Sequence, residues 1–179
     1  MIRMMLLAVA ASASLCAVEA QAQKLQYDCD TQAEHYSELK AVQDGPNYAA
    51  SGTISLRQMF AVKKFTTLGA ILFEPDDKSW SARLGLTAVM VDKKPVIMGQ
   101  LEITRNGKDE EPQMLGRILE FEMGKTYPIK LSLGAAGGSA TLGDHSVPVN
   151  LPATGKVNVS VICSGGEFLF TDLALTPEK

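Results

Sequence analysis

The chain has little of what most enzymes and nucleic-acid binders are built on. Its 179 residues include three cysteines, two histidines and one tryptophan, and aromatics make up only 6% of them. There is no C-x-x-C pair and no cysteine–histidine cluster beyond Cys29 with His35 six residues on, so a zinc site would lack ligands. G-x-S-x-G is missing, and His35 and His145 stand far from any nucleophile motif, which leaves no triad to read. The glycines from Gly134 to Gly138 lack the Lys-Ser/Thr of a phosphate loop and read as a flexible connection. A calcium loop of the D-x-D-x-D-G kind is also missing, and Glu74 to Asp77 reads as an acidic turn. No metal or cofactor is therefore assigned.

Basic excess is lacking as well. Lysine and arginine number 17 against 20 aspartates and glutamates, a net charge of −3. Lys63-Lys64 and Lys93-Lys94 are isolated doublets, too few to follow a phosphate backbone, and nucleic acid is excluded as a partner. After residue 23 no apolar run approaches the roughly 20 residues that a spanning helix needs.

Residues 1–22 combine a basic start at Arg3, an apolar stretch from Leu6 to Val18 and the ending Ala20-Gln21-Ala22. That is the pattern of a secretory signal peptide cut after Ala22. Cys16 follows Leu15, where a lipid-attachment box would place a small residue, so lipidation is not favoured. The remainder, 23–179, is long enough for one domain with a sizeable core and is expected to be exported, to the periplasm or beyond.

What fills that remainder is strand grammar. Tyr48, Ala50, Gly52, Ile54 and Leu56 alternate with Asn47, Ser51, Thr53 and Ser55. The same period of two recurs from Trp80 to Met90, from Tyr127 to Leu133 and from Val157 to Val161, each with one apolar side. Less regular strands are expected at 68–73, 96–104, 114–123, 146–151 and 167–175. Thr31 to Ala41 could form a short helical piece. Turn residues separate these runs, and Asn106-Gly107 has the residues that a tight hairpin requires because both tolerate positive φ. Ten or more short antiparallel strands predict an all-β sandwich.

Cys29 shares the parity of Leu25 and Tyr27, and Cys163 that of Val157, Val159 and Val161, so both continue apolar rows. Two buried thiols in an exported protein are expected to form a disulfide. It would close a loop of more than 130 residues.

The stretch SATLGDHSVPVNLPATGKVNVSVICSGGEFLFTDLAL, Ser139 to Leu175, resembles the closing part of concanavalin A-like lectin/glucanase or laminin G-like jelly rolls. A tight turn at Gly143-Asp144, a Pro/Gly loop and a final Phe168-x-Phe170-x-Asp172 strand carry the likeness. The resemblance implies that the terminal strands share one sheet, in agreement with a Cys29–Cys163 pairing. It also raises two chemistries to test. Glycosidases of this superfamily use an E-x-D-x-x-E cluster whose acid and nucleophile stand about 5 Å apart. Here only Glu120 and Glu122 share a strand face, the third carboxylate is missing, and a solvated outer face accounts for both. The Glu-x-Asp start of a legume-lectin metal pattern is not found.

Sugar binding would need aromatic platforms, for which Trp80, Tyr48 and Tyr36 are the candidates. Trp80 and Tyr48 lie in the apolar parity of their strands, which favours core packing for both. Asn158-Val159-Ser160 matches a glycosylation triplet but falls inside a strand. The leading expectation is a non-catalytic exported sandwich that binds a glycan or an envelope partner. A polysaccharide hydrolase using Glu120 and Glu122 and a structural envelope protein are the alternatives.

Overall fold

The computed structural model describes residues 24–32, 35–60, 66–117 and 120–175, so the leader expected at 1–22 lies outside the described residues. Thirteen strands are formed: β1 (Leu25–Asp30), β2 (Tyr36–Gly45), β3 (Asn47–Met59), β4 (Thr67–Pro75), β5 (Trp80–Val91), β6 (Lys94–Arg105), β7 (Lys108–Asp109), β8 (Gln113–Leu115), β9 (Tyr127–Gly134), β10 (Gly137–Leu142), β11 (His145–Val149), β12 (Gly155–Ser164) and β13 (Gly166–Ala174). They build two sheets. One has six strands in the order β1-β13-β3-β9-β10-β11, and the other has seven, β2-β12-β4-β5-β6-β7 with β8 also paired to β6. Every described pairing is antiparallel, which is the architecture the period-two rows predict.

Those rows meet between the sheets. Val157, Val159 and Val161 of β12, Ile71 and Phe73 of β4 and Leu84 and Leu86 of β5 are buried against Tyr48, Ile54, Leu131, Phe168 and Phe170 of the other sheet. Some inward positions are too close to the opposite sheet for any side chain: a Cβ at Gly69 would lie 2.3 Å from the Phe168 ring. Two strands change sheet within a residue or two. The chain passes from β2 to β3 through Gly45 and Pro46, and from β12 to β13 through Gly165, whose φ of 62° is the left-handed region that glycine adopts without strain.

The disulfide forms as expected, but its place differs. Cys29 and Cys163 are bonded with Cα atoms 6.3 Å apart. β1 pairs with β13, so the terminal strands do share one sheet. Cys163, however, sits on β12 in the other sheet, because the Gly165 turn carries β13 across the core. The bond therefore staples the two sheets together instead of joining neighbours within one.

Three other expectations are corrected. In the segment considered for a helix, the part from Tyr36 to Ala41 belongs to the edge strand β2, in which Ser37, Leu39, Ala41 and Gln43 alternate with exposed Tyr36, Glu38, Lys40 and Val42. An edge strand has one partner and a wet outer face, so its alternation is diluted by charge. Gln43 faces inward and is satisfied there: its amide donates to the carbonyls of Ala49 (2.8 Å) and Leu175 (2.7 Å) and accepts from Ala49 N (3.1 Å). The strand expected at 114–123 is only Gln113–Leu115, ended by Gly116 at φ 84°, with Phe121 in a single bridge to Ile97. Lastly, Gly134 to Gly138 is a tight β9–β10 hairpin, where Gly137 at φ 99° would place a Cβ 2.7 Å from the Val149 carbonyl.

Candidate functional site

Alternate positions on the seven-stranded sheet, even-numbered on β2, β4, β6 and β12 and odd-numbered on β5, face away from the core, and the register aligns them in rows across it. One row runs Lys40, Ser160, Leu72, Arg83, Glu102 from β2 to β6. A second row pairs Asn158 with Glu74 on one side and Thr104 with Ser81 and Asp109 on the other. On the opposite flank of the first row, Glu38, Ile162, Ala70, Gly85, Gln100 and Met114 align, followed by Tyr36, Ser164, Leu68, Thr87 and Met98. Short side chains such as Ser81, Thr87, Thr104 and Ser164 stand among long ones in these rows, and they line depressions.

Two depressions adjoin. A hollow of about 270 Å³ is lined by Tyr36, Thr66, Leu68, Thr87, Ile162, Ser164, Arg83 and Glu102. Its neighbour, about 300 Å³, is lined by Leu72, Glu74, Ser81, Thr104, Asp109 and the same Arg83 and Glu102. Arg83 Nη2 and Glu102 Oε2 form an ion pair across β5 and β6, so the pair is a bar between two halves of one trough. About a third of each side chain remains accessible (34% and 29%), so it stays within reach of a bound molecule. Around it lie neutral donors and acceptors: Thr87 Oγ1 bonds Gln100 Oε1 at 3.3 Å, and Thr104 Oγ1 donates to Asp109 Oδ1 at 2.7 Å. At the rim Ser160 Oγ donates to Glu38 Oε1 at 2.5 Å.

Tyr36 stands at one end, 52% exposed. It opens β2 and is not in a loop. Its phenol is held above the ordinary value, chiefly by burial and then by the charges of Glu38 and Glu74, so it is a neutral hydroxyl with a free ring edge at physiological pH. Of the three aromatic candidates this one alone lines either of the adjoining hollows. Tyr48 is in the core at 1% exposure, with its hydroxyl proton shared between the carbonyls of Gly45 (2.6 Å) and Gly155 (2.5 Å). It offers no face to a ligand. Trp80 is half-buried and packed against the core at the start of β5.

The carboxylates weighed for catalysis lie elsewhere. Glu120 and Glu122 flank Phe121 outside any regular strand, because the chain leaves the sheet at Gly116 and turns again at Gly124. Glu120 is held below the usual carboxylate range by the Arg117 backbone N–H, then by His145, whose Nε2 is 2.6 Å from its Oε1. Glu122 pairs with Lys125 at 2.5 Å. Neither lines a described hollow, and the shared strand face on which their pairing rested is not formed. His145, the first residue of β11, ties that strand to this segment.

A third hollow, about 380 Å³, lies on the outer face of the six-stranded sheet over Asn47, Ser132, Gly134, Gly138 and Ser139. It is open, and although Tyr48, Leu133 and Lys130 also line it, Tyr48 is only 1% exposed there. Among the described residues no group of three or more histidines, cysteines, aspartates or glutamates is placed to hold a metal, and no helix is long and apolar enough to cross a membrane.

Sequence reasoning singled out Tyr36 and read Glu74 as part of an acidic turn; Arg83 and Glu102 were polar members of two strands. Nothing in the chain marks them as partners, since they lie 19 residues apart on either side of a hairpin. An alignment of the β5 and β6 alternations about the Asp92–Lys93 turn is the one signal that could have paired them.

No protein-family model and no curated protein sequence matches the chain. Solved structures do. The carbohydrate-binding module CBM66 from Bacillus subtilis superposes with a TM-score of 0.54 at 12% identity, over 84% of this chain and 92% of that one. The galectin LEC-6 of Caenorhabditis elegans gives 0.53 at 11% identity, over 86% and 96%. An alginate lyase from Alteromonas sp.272 gives 0.52 at 10% identity, over 74% of this chain and 59% of the lyase. The chain thus shares the antiparallel jelly-roll sandwich fold of these structures, and identities this low carry the fold alone.

Proposed function

We propose that this protein is an exported, non-catalytic glycan-binding sandwich whose binding face is the trough on the seven-stranded sheet. The observation that carries the reading is the pair of adjoining hollows that share Arg83 and Glu102, with Tyr36 exposed at one end. A chain of sugar rings presents hydroxyls to hydrogen-bond and apolar faces to stack. The trough supplies both, as fixed side chains on paired strands, so little ordering entropy is lost on binding. The printed names of the structural neighbours, a carbohydrate-binding module, a galectin and an alginate lyase, support the same class of ligand. Export is supported by the leader pattern at 1–22 and by the disulfide.

The test is a glycan-array screen of the purified, oxidised protein beside its Tyr36→Ala and Arg83→Ala variants. Binding by the parent that both variants lose is the expected result. A parent that binds no glycan, or variants that bind as well as the parent, would overturn the reading.

A second reading, a structural envelope subunit, has one observation in its favour. Val89, Met90 and Val91 at the β5–β6 turn are 36%, 58% and 50% exposed, an apolar tip beside Lys93 and Lys94. Co-purification of the exported protein with envelope fragments, lost on Met90→Ser/Val91→Ser substitution and paired with a blank glycan array, would favour it.

A further inference from the structure

We infer that the glycan held in this trough carries free amino groups, and that uronate chains are turned away. The inference rests on the trough being the binding face, and it follows from how charge is spent there. The two hollows are lined by three carboxylates, Glu74, Glu102 and Asp109, and by one cation, Arg83. Arg83 is committed to Glu102. In the flanking rows Lys40 lies 3.6 Å from Glu38, and Lys156 lies 3.6 Å from Asp76. The cations that line or adjoin the two hollows are therefore already balanced by carboxylates. No cation among the described residues pairs with Glu74 or Asp109, which both line the hollow of about 300 Å³. The hollow beside Tyr36 feels the same field, since the charges of Glu38 and Glu74 both disfavour ionisation of Tyr36.

A carboxylated sugar entering this trough would meet two uncompensated negative charges and no unpaired arginine or lysine in the lining of either hollow. A uronate reader needs the opposite, a guanidinium free to take each carboxylate bidentately. An ammonium on a glucosamine-type ring meets the right partners: it would donate to Glu74 at one end of the second row or to Asp109 at the other, while the ring hydroxyls reach Ser81 and Thr104 between them. The hollow is open to water, so the gain is modest and falls with salt, as screening over about 10 Å at 0.1 M requires.

The experiment compares three hexamers by calorimetry on the oxidised protein: glucosamine, N-acetylglucosamine and galacturonate. At low salt the glucosamine hexamer is expected to bind at least tenfold tighter than the N-acetylated one, equivalent to about 1.4 kcal/mol, with no measurable galacturonate binding. Raising salt to 0.5 M should erase most of that margin. A Glu74→Gln/Asp109→Asn variant should bring the two amino-sugar hexamers within about twofold while melting like the parent, and the single Glu74→Gln variant serves if the double one misfolds. Equal or tighter binding of the N-acetylated or galacturonate hexamer would overturn the inference and leave the trough as a glycan site. An array hit on glycans without amino groups would do the same. A blank array together with three blank titrations would overturn both.

Discussion

Reducing the Cys29–Cys163 bond should lower stability by about 5 kcal/mol, and the figure follows from its place in the chain. The two cysteines are 134 residues apart. For a loop that long the chain-entropy relation removes about 17 cal/mol/K from the unfolded ensemble, or about 5 kcal/mol at 25 °C. For a domain of this size each kcal/mol moves the midpoint by about 2–4 °C, so the melting temperature should fall by about 10–20 °C. The bond also joins opposite sheets across the core, with both cysteines almost wholly buried. It should therefore resist mild reductant in the native state and yield only in partly unfolded protein. The assay is paired thermal and urea unfolding of oxidised and fully reduced protein, with free thiols counted at each point. A Cys29→Ala/Cys163→Ala variant separates loop closure from reagent effects, at the added cost of two small cavities. A midpoint shift below about 3 °C, with thiols shown to be free, would refute the argument. Strand pairing alone would then hold the sheets in place.

Four further outcomes test the packing and the site. Gln43→Leu leaves the N–H and carbonyl of Ala49 and the carbonyl of Leu175 without their partner, and should cost about 2–4 kcal/mol in urea unfolding. Tyr48→Phe should lose about 1–2 kcal/mol with glycan affinity intact, whereas Tyr36→Ala should stay within about 0.5 kcal/mol of the parent in stability and lose affinity. Gly69→Ala drives a methyl into the Phe168 ring and should cost about 1–3 kcal/mol or more, read as a lower melting temperature. The Glu120 carboxyl is held below its ordinary value by the Arg117 N–H and by His145. A depressed carboxylate adds stability above its unfolded pKa and loses it as pH falls through the lower folded value. Stability measured by melting should thus fall on acidification below the ordinary glutamate range, and Glu120→Gln should flatten that part of the profile.

Much of the fold was legible in the residues themselves, because a strand's period is a local property. Alternation over Asn47–Leu56, Trp80–Met90 and Val157–Val161 placed β3, β5 and β12, and Asn106-Gly107 placed the turn after β6. The parity of Cys29 and Cys163 turned both inward, which was enough to pair them. Local rules failed where the environment was one-sided. β2, at a sheet edge and rich in charge, was readable as a helix, and the 114–123 segment kept its apolar spacing although Gly116 had already taken the chain off the sheet.

Sequence alone determined the class of fold and the inward cysteines. Each follows from residue type and from spacing along a single strand. Tertiary structure alone decided which strands are neighbours. It sent β12 and β13 to opposite sheets, made the disulfide a staple between layers, buried Tyr48 and left Tyr36 at the rim. It also brought Arg83 against Glu102 and set Glu74 and Asp109 around one hollow. The reason is that a binding face on a sheet is assembled across strands, at right angles to the chain, by a register that long-range packing sets and that spacing along one strand does not encode.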